Sequence, residues 1–123
     1  MGNLHGAEYV LVVEDDNTLR QVMTWVLEAE GLRVKAAGTC DEARALIAEE
    51  RPGLVLLDYL IEAGTCEALI HKDGFIDGTP VILVTGINKA EDIAERLHVS
   101  GLVKKPFQPE CLTSLVKSSL QRS

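Results

Sequence analysis

Five short apolar runs, most of them followed by a stretch with helical spacing, constrain this chain more than any other feature of its sequence. Tyr9–Val13 is a continuous, β-branched run of the kind that forms a strand buried on both faces. Behind it, Leu19, Val22, Met23, Val26 and Leu27 fall at i, i+3, i+4, i+7 and i+8, one stripe of a helix ending near Gly31. Leu32, Val34 and Ala36 alternate with other residues as in a strand nearer a sheet edge. Thr39 and Glu42 read as a capping box for a helix through Glu50, with Ala43, Leu46 and Ile47 on its apolar side. Arg51-Pro52-Gly53 stops that helix, and Leu54–Leu57 is a third strand. A shorter helix is expected from Thr65 to His71, closed by Asp73-Gly74 and Asp77-Gly78. Pro80–Val84 is a fourth strand; Ile93, Ala94 and Leu97 mark the inner face of the next helix. Leu102 and Val103 make a brief fifth strand, and a last helix starts at Pro109 with Leu112, Leu115, Val116 and Leu120 on one side.

Strand and helix in regular alternation predict an α/β fold, a parallel sheet with helices on both faces. For five strands the expected architecture is the doubly wound, flavodoxin-like order 2-1-3-4-5. The 123 residues suit one domain, expected over 8–121, with residues 1–7 as a loose leader. The longest uncharged apolar runs fall far short of the ~20 residues of a membrane span, and no secretory signal opens the chain. Twelve basic against 19 acidic residues leave a net charge of −7, which argues against direct nucleic-acid binding. Cys40, Cys66 and Cys111, and the scattered His5, His71 and His98, form no zinc pattern. The cysteines are expected as reduced thiols of a cytoplasmic protein.

In an open α/β sheet, ligands bind beyond the carboxyl ends of the strands, near the switch in strand order. Strand one is followed by Glu14, Asp15 and Asp16, strand three by Asp58, strand four by Thr85 and strand five by Lys105. Strands one and three are neighbours in this order, so Glu14 and Asp15 should face Asp58. Three crowded carboxylates call for a hard divalent cation such as magnesium. Lys105 adds a second positive charge and Thr85 a hydroxyl donor, a set suited to stabilising a transferring phosphoryl group. Taken singly, each residue has a plainer reading: an acid at a helix start, a turn former, a solvated lysine. Their conjunction at four strand ends is what carries the chemistry.

These residues resemble the response-regulator receiver domain of two-component signalling. The likeness rests on Val10-Leu11-Val12-Val13-Glu14-Asp15-Asp16, Leu56-Leu57-Asp58, Val81-Ile82-Leu83-Val84-Thr85-Gly86 and Val103-Lys104-Lys105-Pro106-Phe107. It implies a (βα)5 receiver fold in which Asp58 accepts a phosphoryl group from a partner histidine kinase or histidine phosphotransfer protein. It also implies magnesium held by Asp15, Asp58 and the backbone carbonyl of Leu60, with Glu14 acting through water. Thr85 and Lys105 would bind phosphoryl oxygens, the Lys105–Pro106 bond would be cis, and Lys104 would be merely exposed. Such a protein is a signalling switch, not a metabolic enzyme, and contacts a further downstream protein.

The chain departs from that pattern in three places. Tyr59-Leu60-Ile61-Glu62 follows Asp58 without the family's Met-Pro loop. Leu102 stands where an aromatic residue is common, and His98 where a helix-ending glycine is common. The first two support an alternative, a receiver-like interaction module that works without phosphorylation. A mononucleotide binder of similar architecture needs a donor-rich loop after strand one, where these acids would repel phosphate. A P-loop hydrolase lacks its Gly-x-x-x-x-Gly-Lys-Ser/Thr.

Overall fold

The computed structural model describes residues 8–58 and 79–120, together with the backbone of 60–61 and 64–65. The expected leader, residues 1–7, lies outside the described residues. Five parallel strands, β1 (Val10–Val13), β2 (Val34–Ala37), β3 (Leu54–Asp58), β4 (Val81–Thr85) and β5 (Gly101–Lys104), form one sheet. Their order is β2-β1-β3-β4-β5, as the alternation of the sequence predicts. Leu60–Ile61 and Gly64–Thr65 pair antiparallel as a separate small sheet. Thr65, expected to open a helix, therefore belongs to a strand; the rest of that expected helix lies outside the described residues.

Pleat parity divides the core into two layers. Leu11, Val13, Val55 and Leu57 point to one face and pack with Ala43 and Ile47 of helix α2 (Cys40–Glu49). Val10, Val12, Leu54 and Leu56 point to the other. There they meet Met23 and Leu27 of α1 (Asn17–Glu28) and Leu112 and Val116 of the C-terminal helix α4 (Pro109–Leu120). Burial on both faces is why these strands read as unbroken apolar runs. At the β2 edge Val34 packs on the α1 side, as expected. Ala36 stays exposed and Ala37, in register with Val13, joins the α2 side.

The helix ends are set by side chains. Asp16 Oδ1 accepts the Leu19 N–H at 2.8 Å and starts α1. The helix closes at Ala29, and Gly31 at φ +84° supplies the left-handed turn that returns the chain to β2. Thr39 caps α2 by accepting the Glu42 N–H at 3.0 Å. The reciprocal bond of the expected capping box is displaced by one residue, since Glu42 Oε1 accepts from the Gly38 N–H at 2.7 Å. Helix α3 (Ala90–Leu97) lies between two left-handed non-glycine residues, Lys89 and His98.

The cysteines correct one expectation. Cys40 is disulfide-bonded, whereas Cys111 is free and exposed. Linear spacing carries no signal of such a bond, which depends only on two Cα atoms meeting in space.

Candidate functional site

The carboxyl ends of β1, β3, β4 and β5 bring the candidate side chains to one edge of the sheet. Val13 pairs with Leu57 in register, so the residues that follow each, Glu14 and Asp58, leave the sheet side by side. Asp58 is itself the last residue of β3 and is paired with Val84, which puts Thr85 one step beyond it on β4. Thr85 in turn pairs with Lys104 on β5, and the Thr85 carbonyl accepts the Lys105 N–H at 2.9 Å. The Lys105–Pro106 peptide is cis.

Glu14, Asp15 and Asp58 offer one carboxylate oxygen each within 4.8 Å of one another. Glu14 and Asp58 are 1% and 6% exposed, while Asp15 is open to solvent. The Lys105 ammonium reaches both buried acids, at 2.9 Å from Glu14 Oε1 and 3.3 Å from Asp58 Oδ2. Asp16, the remaining acid of the run, is used elsewhere as the α1 cap, and its N–H donates to Glu14 Oε2 at 3.1 Å. Thr85 is 1% exposed, and its hydroxyl oxygen accepts from the Ile87 N–H at a long 3.4 Å. Lys104 is exposed, as expected, and pairs with Glu91 of α3.

One ammonium serves two buried carboxylates here, and the balance is incomplete. Burial pushes the Asp58 carboxyl up to about 6, Glu14 adds to the shift, and Lys105 only opposes it. Burial alone would lower the Lys105 ammonium, yet Glu14 and Asp58 outweigh it and hold that group above its ordinary value. Both partners of one ion pair thus move upward, Asp58 chiefly through burial with Glu14 adding to it, and Lys105 through the two acids around it. Glu14 Oε1 is also buried without an aligned hydrogen bond, so Lys105 meets it as a charge alone. A hard cation fits this donor set: three carboxylates, one buried oxygen of which has no aligned hydrogen bond, with Asp15 open to solvent.

The residues read from the sequence at β1, β3, β4 and β5 therefore come together at one edge. Leu60 lies two residues past Asp58, paired with Thr65 in the small sheet. Sequence reasoning missed Arg20, whose guanidinium donates to the Glu14 carbonyl at 2.9 Å. The only trace of it in the sequence is a basic residue on the first turns of a helix that begins at the acidic run.

Residues 10–117 match the response regulator receiver domain family. The phosphate regulon transcriptional regulatory protein PhoB of Klebsiella pneumoniae is 29% identical over 121 residues, 94% of this chain and 53% of PhoB. The DNA-binding response regulator MtrA of Mycolicibacterium smegmatis is 31% identical over 120 residues, 93% of this chain and 51% of MtrA. The chain thus spans about half the length of these relatives. Among solved structures, a CheY-like receiver domain protein from Methanospirillum hungatei superposes with a TM-score of 0.83 at 27% identity, covering 93% of this chain and 94% of that one. A two-component response regulator from Clostridium difficile gives 0.84 at 26% identity, covering 94% and 97%.

Proposed function

We propose a phosphoacceptor role from the premise that the chain belongs to the response regulator receiver domain family. Asp58 takes a phosphoryl group from a phosphohistidine of a histidine kinase or histidine phosphotransfer protein, and the change in charge switches contacts with a downstream protein. One observation carries this reading: three carboxylates within 4.8 Å share a site with an ammonium that touches two of them.

Magnesium fits the donor set. Asp15, Asp58 and the Leu60 carbonyl would hold it, with Glu14 acting through water. When bound, it neutralises charge on the phosphoryl oxygens. The chain's own residues do the rest. An Asp58 carboxylate oxygen attacks phosphorus as the bond to the donor imidazole nitrogen breaks, and the imidazole leaves on the donor. Lys105 and Thr85 receive the phosphoryl oxygens, one by charge and one by hydroxyl donation. Those two residues are joined by the Lys105 N–H to Thr85 carbonyl bond, so a shift of one is felt by the other. The net charge of −7 suits protein partners and disfavours direct nucleic-acid binding, and none of the described helices is long and apolar enough to cross a membrane.

The test is intact mass after incubation with acetyl phosphate and Mg2+. The wild type gains one phosphoryl group, and the gain is lost without Mg2+ and in Asp58→Asn. Leu102, half-buried on β5 in place of an aromatic side chain, favours a second reading, an interaction module that works without phosphorylation. No adduct under any of these conditions would select it.

A further inference from the structure

Glu14 and Asp15 are adjacent in sequence, so the peptide plane between them decides how their two carboxylates are aimed. In this chain Glu14 is held on both sides. Its N–H donates to the Ala37 carbonyl of β2 at 3.0 Å. Its carbonyl, which belongs to the peptide joining it to Asp15, accepts from Arg20 Nη1 at 2.9 Å. With both flanking peptide groups tied, Glu14 has little backbone freedom left. The second guanidinium nitrogen, Nη2, donates to Asn17 Oδ1 and braces Arg20 against the first turn of α1.

The space for this guanidinium is made by a glycine. A Cβ built on Gly38 would stand 2.9 Å from Arg20 Nη1, closer than real Cβ contacts come. Gly38 is fixed in turn by its N–H bond to Glu42 Oε1. Arg20 therefore ties the β1–α1 connection to the start of α1, with Gly38 of the turn into α2 beside it. Its side-chain bonds go to the Glu14 backbone and Asn17, outside the set Asp58, Thr85 and Lys105.

We propose that Arg20 is a positioning residue for the metal-binding acids: it locks the peptide plane between Glu14 and Asp15 so that both carboxylates face Asp58. The inference rests on reading Glu14, Asp15 and Asp58 as a magnesium site. A hydrogen bond from a charged donor to a half-buried carbonyl is strong enough for its loss to reach the ligands. Gly38 is the second half of the same device, because a side chain there would press on the guanidinium.

The test is calorimetric titration of Mg2+ alone into the wild type, Arg20→Ala, Arg20→Lys, Gly38→Ala and the Arg20→Ala/Gly38→Ala double variant, with a Tm for each. Arg20→Ala weakens Mg2+ binding about tenfold. Arg20→Lys, which keeps the charge but loses the fork that serves Glu14 and Asn17 together, falls between the wild type and Arg20→Ala. Gly38→Ala weakens binding about threefold alone and adds nothing to Arg20→Ala, the mark of two residues acting as one unit. A Tm that falls in Arg20→Ala with an unchanged Mg2+ Kd would mean a purely structural arginine and would overturn the proposal. Should Arg20→Ala fail to fold, a wild-type Kd in Arg20→Met, which keeps the aliphatic stem and loses every donor, overturns it equally. A wild type that binds no Mg2+ removes the metal site itself, and this inference with it. A binding wild type with indifferent variants removes only the role of Arg20.

Discussion

Lys105 holds two buried carboxylates that outnumber it, and this makes it a competitor of any cation entering the site. Its ammonium lies 2.9 Å from Glu14 Oε1 and 3.3 Å from Asp58 Oδ2, among the same acids that are proposed to serve the metal. Lys105→Met should therefore tighten Mg2+ binding, by about tenfold, while removing a contact to the phosphoryl group. Mg2+ titration checks the first effect and acetyl phosphate labelling the second. At the far end of the sheet a different acid gives the opposite shift. Arg33 donates to both Glu50 carboxylate oxygens at 2.8 Å, and Lys35 adds a contact at 3.3 Å. Arg33 first, then Lys35, bring the Glu50 carboxyl down to about 2. An unfolded chain titrates this group near ~4.3. A lowered carboxyl adds stability that is fully present above the unfolded value and lost as pH falls through the folded one. The Tm advantage of the wild type over Glu50→Gln should hold steady above about pH 5 and close between about pH 4.5 and 2. Thermal melts across that range would detect a gap that stays constant instead.

At the level of elements, α3 stands out among the described helices for backbone strain. Lys89 at φ 62° precedes it without a side-chain cap, and His98 at φ 56° closes it. A left-handed residue with a Cβ carries a cost of about 1 kcal/mol that glycine avoids. His98→Gly should raise unfolding free energy by ~0.5–1 kcal/mol in urea titration; a loss of stability would contradict the strain argument. The His98 turn was legible because it stands where the resembled family commonly ends a helix with glycine. Lys89 was not, since nothing in Asn88-Lys89-Ala90 distinguishes a left-handed start from an ordinary one. Helices with strong periods, such as α1 and α4, could be read to within a few residues, because burial of one stripe fixes them. Thr65 itself was misread because a short apolar spacing suits helix or strand equally, and Gly64–Thr65 pairs with Leu60–Ile61.

Across the whole molecule, one property of parallel sheets made readable both the fold and the edge at which the candidate residues gather. Strands buried on two faces leave unbroken apolar runs, and functional residues must then collect where those runs end. Glu14, Asp58, Thr85 and Lys105 were found by that rule, and register brings them to one edge. Arg20 acts on the site through backbone, and Cys40 is bonded across space, so neither left a pattern along the chain. A phosphoacceptor at the acidic edge would have Asp58 at its centre. Borohydride reduction of the chain after acetyl phosphate and Mg2+ treatment, followed by peptide sequencing in a mass spectrometer, tests it most directly. An acyl phosphate at this site is reduced to homoserine at position 58 and nowhere else. Homoserine at Asp15 or another aspartate, the corresponding five-carbon alcohol at a glutamate, or no reduced residue at all in a chain that binds Mg2+, would contradict it.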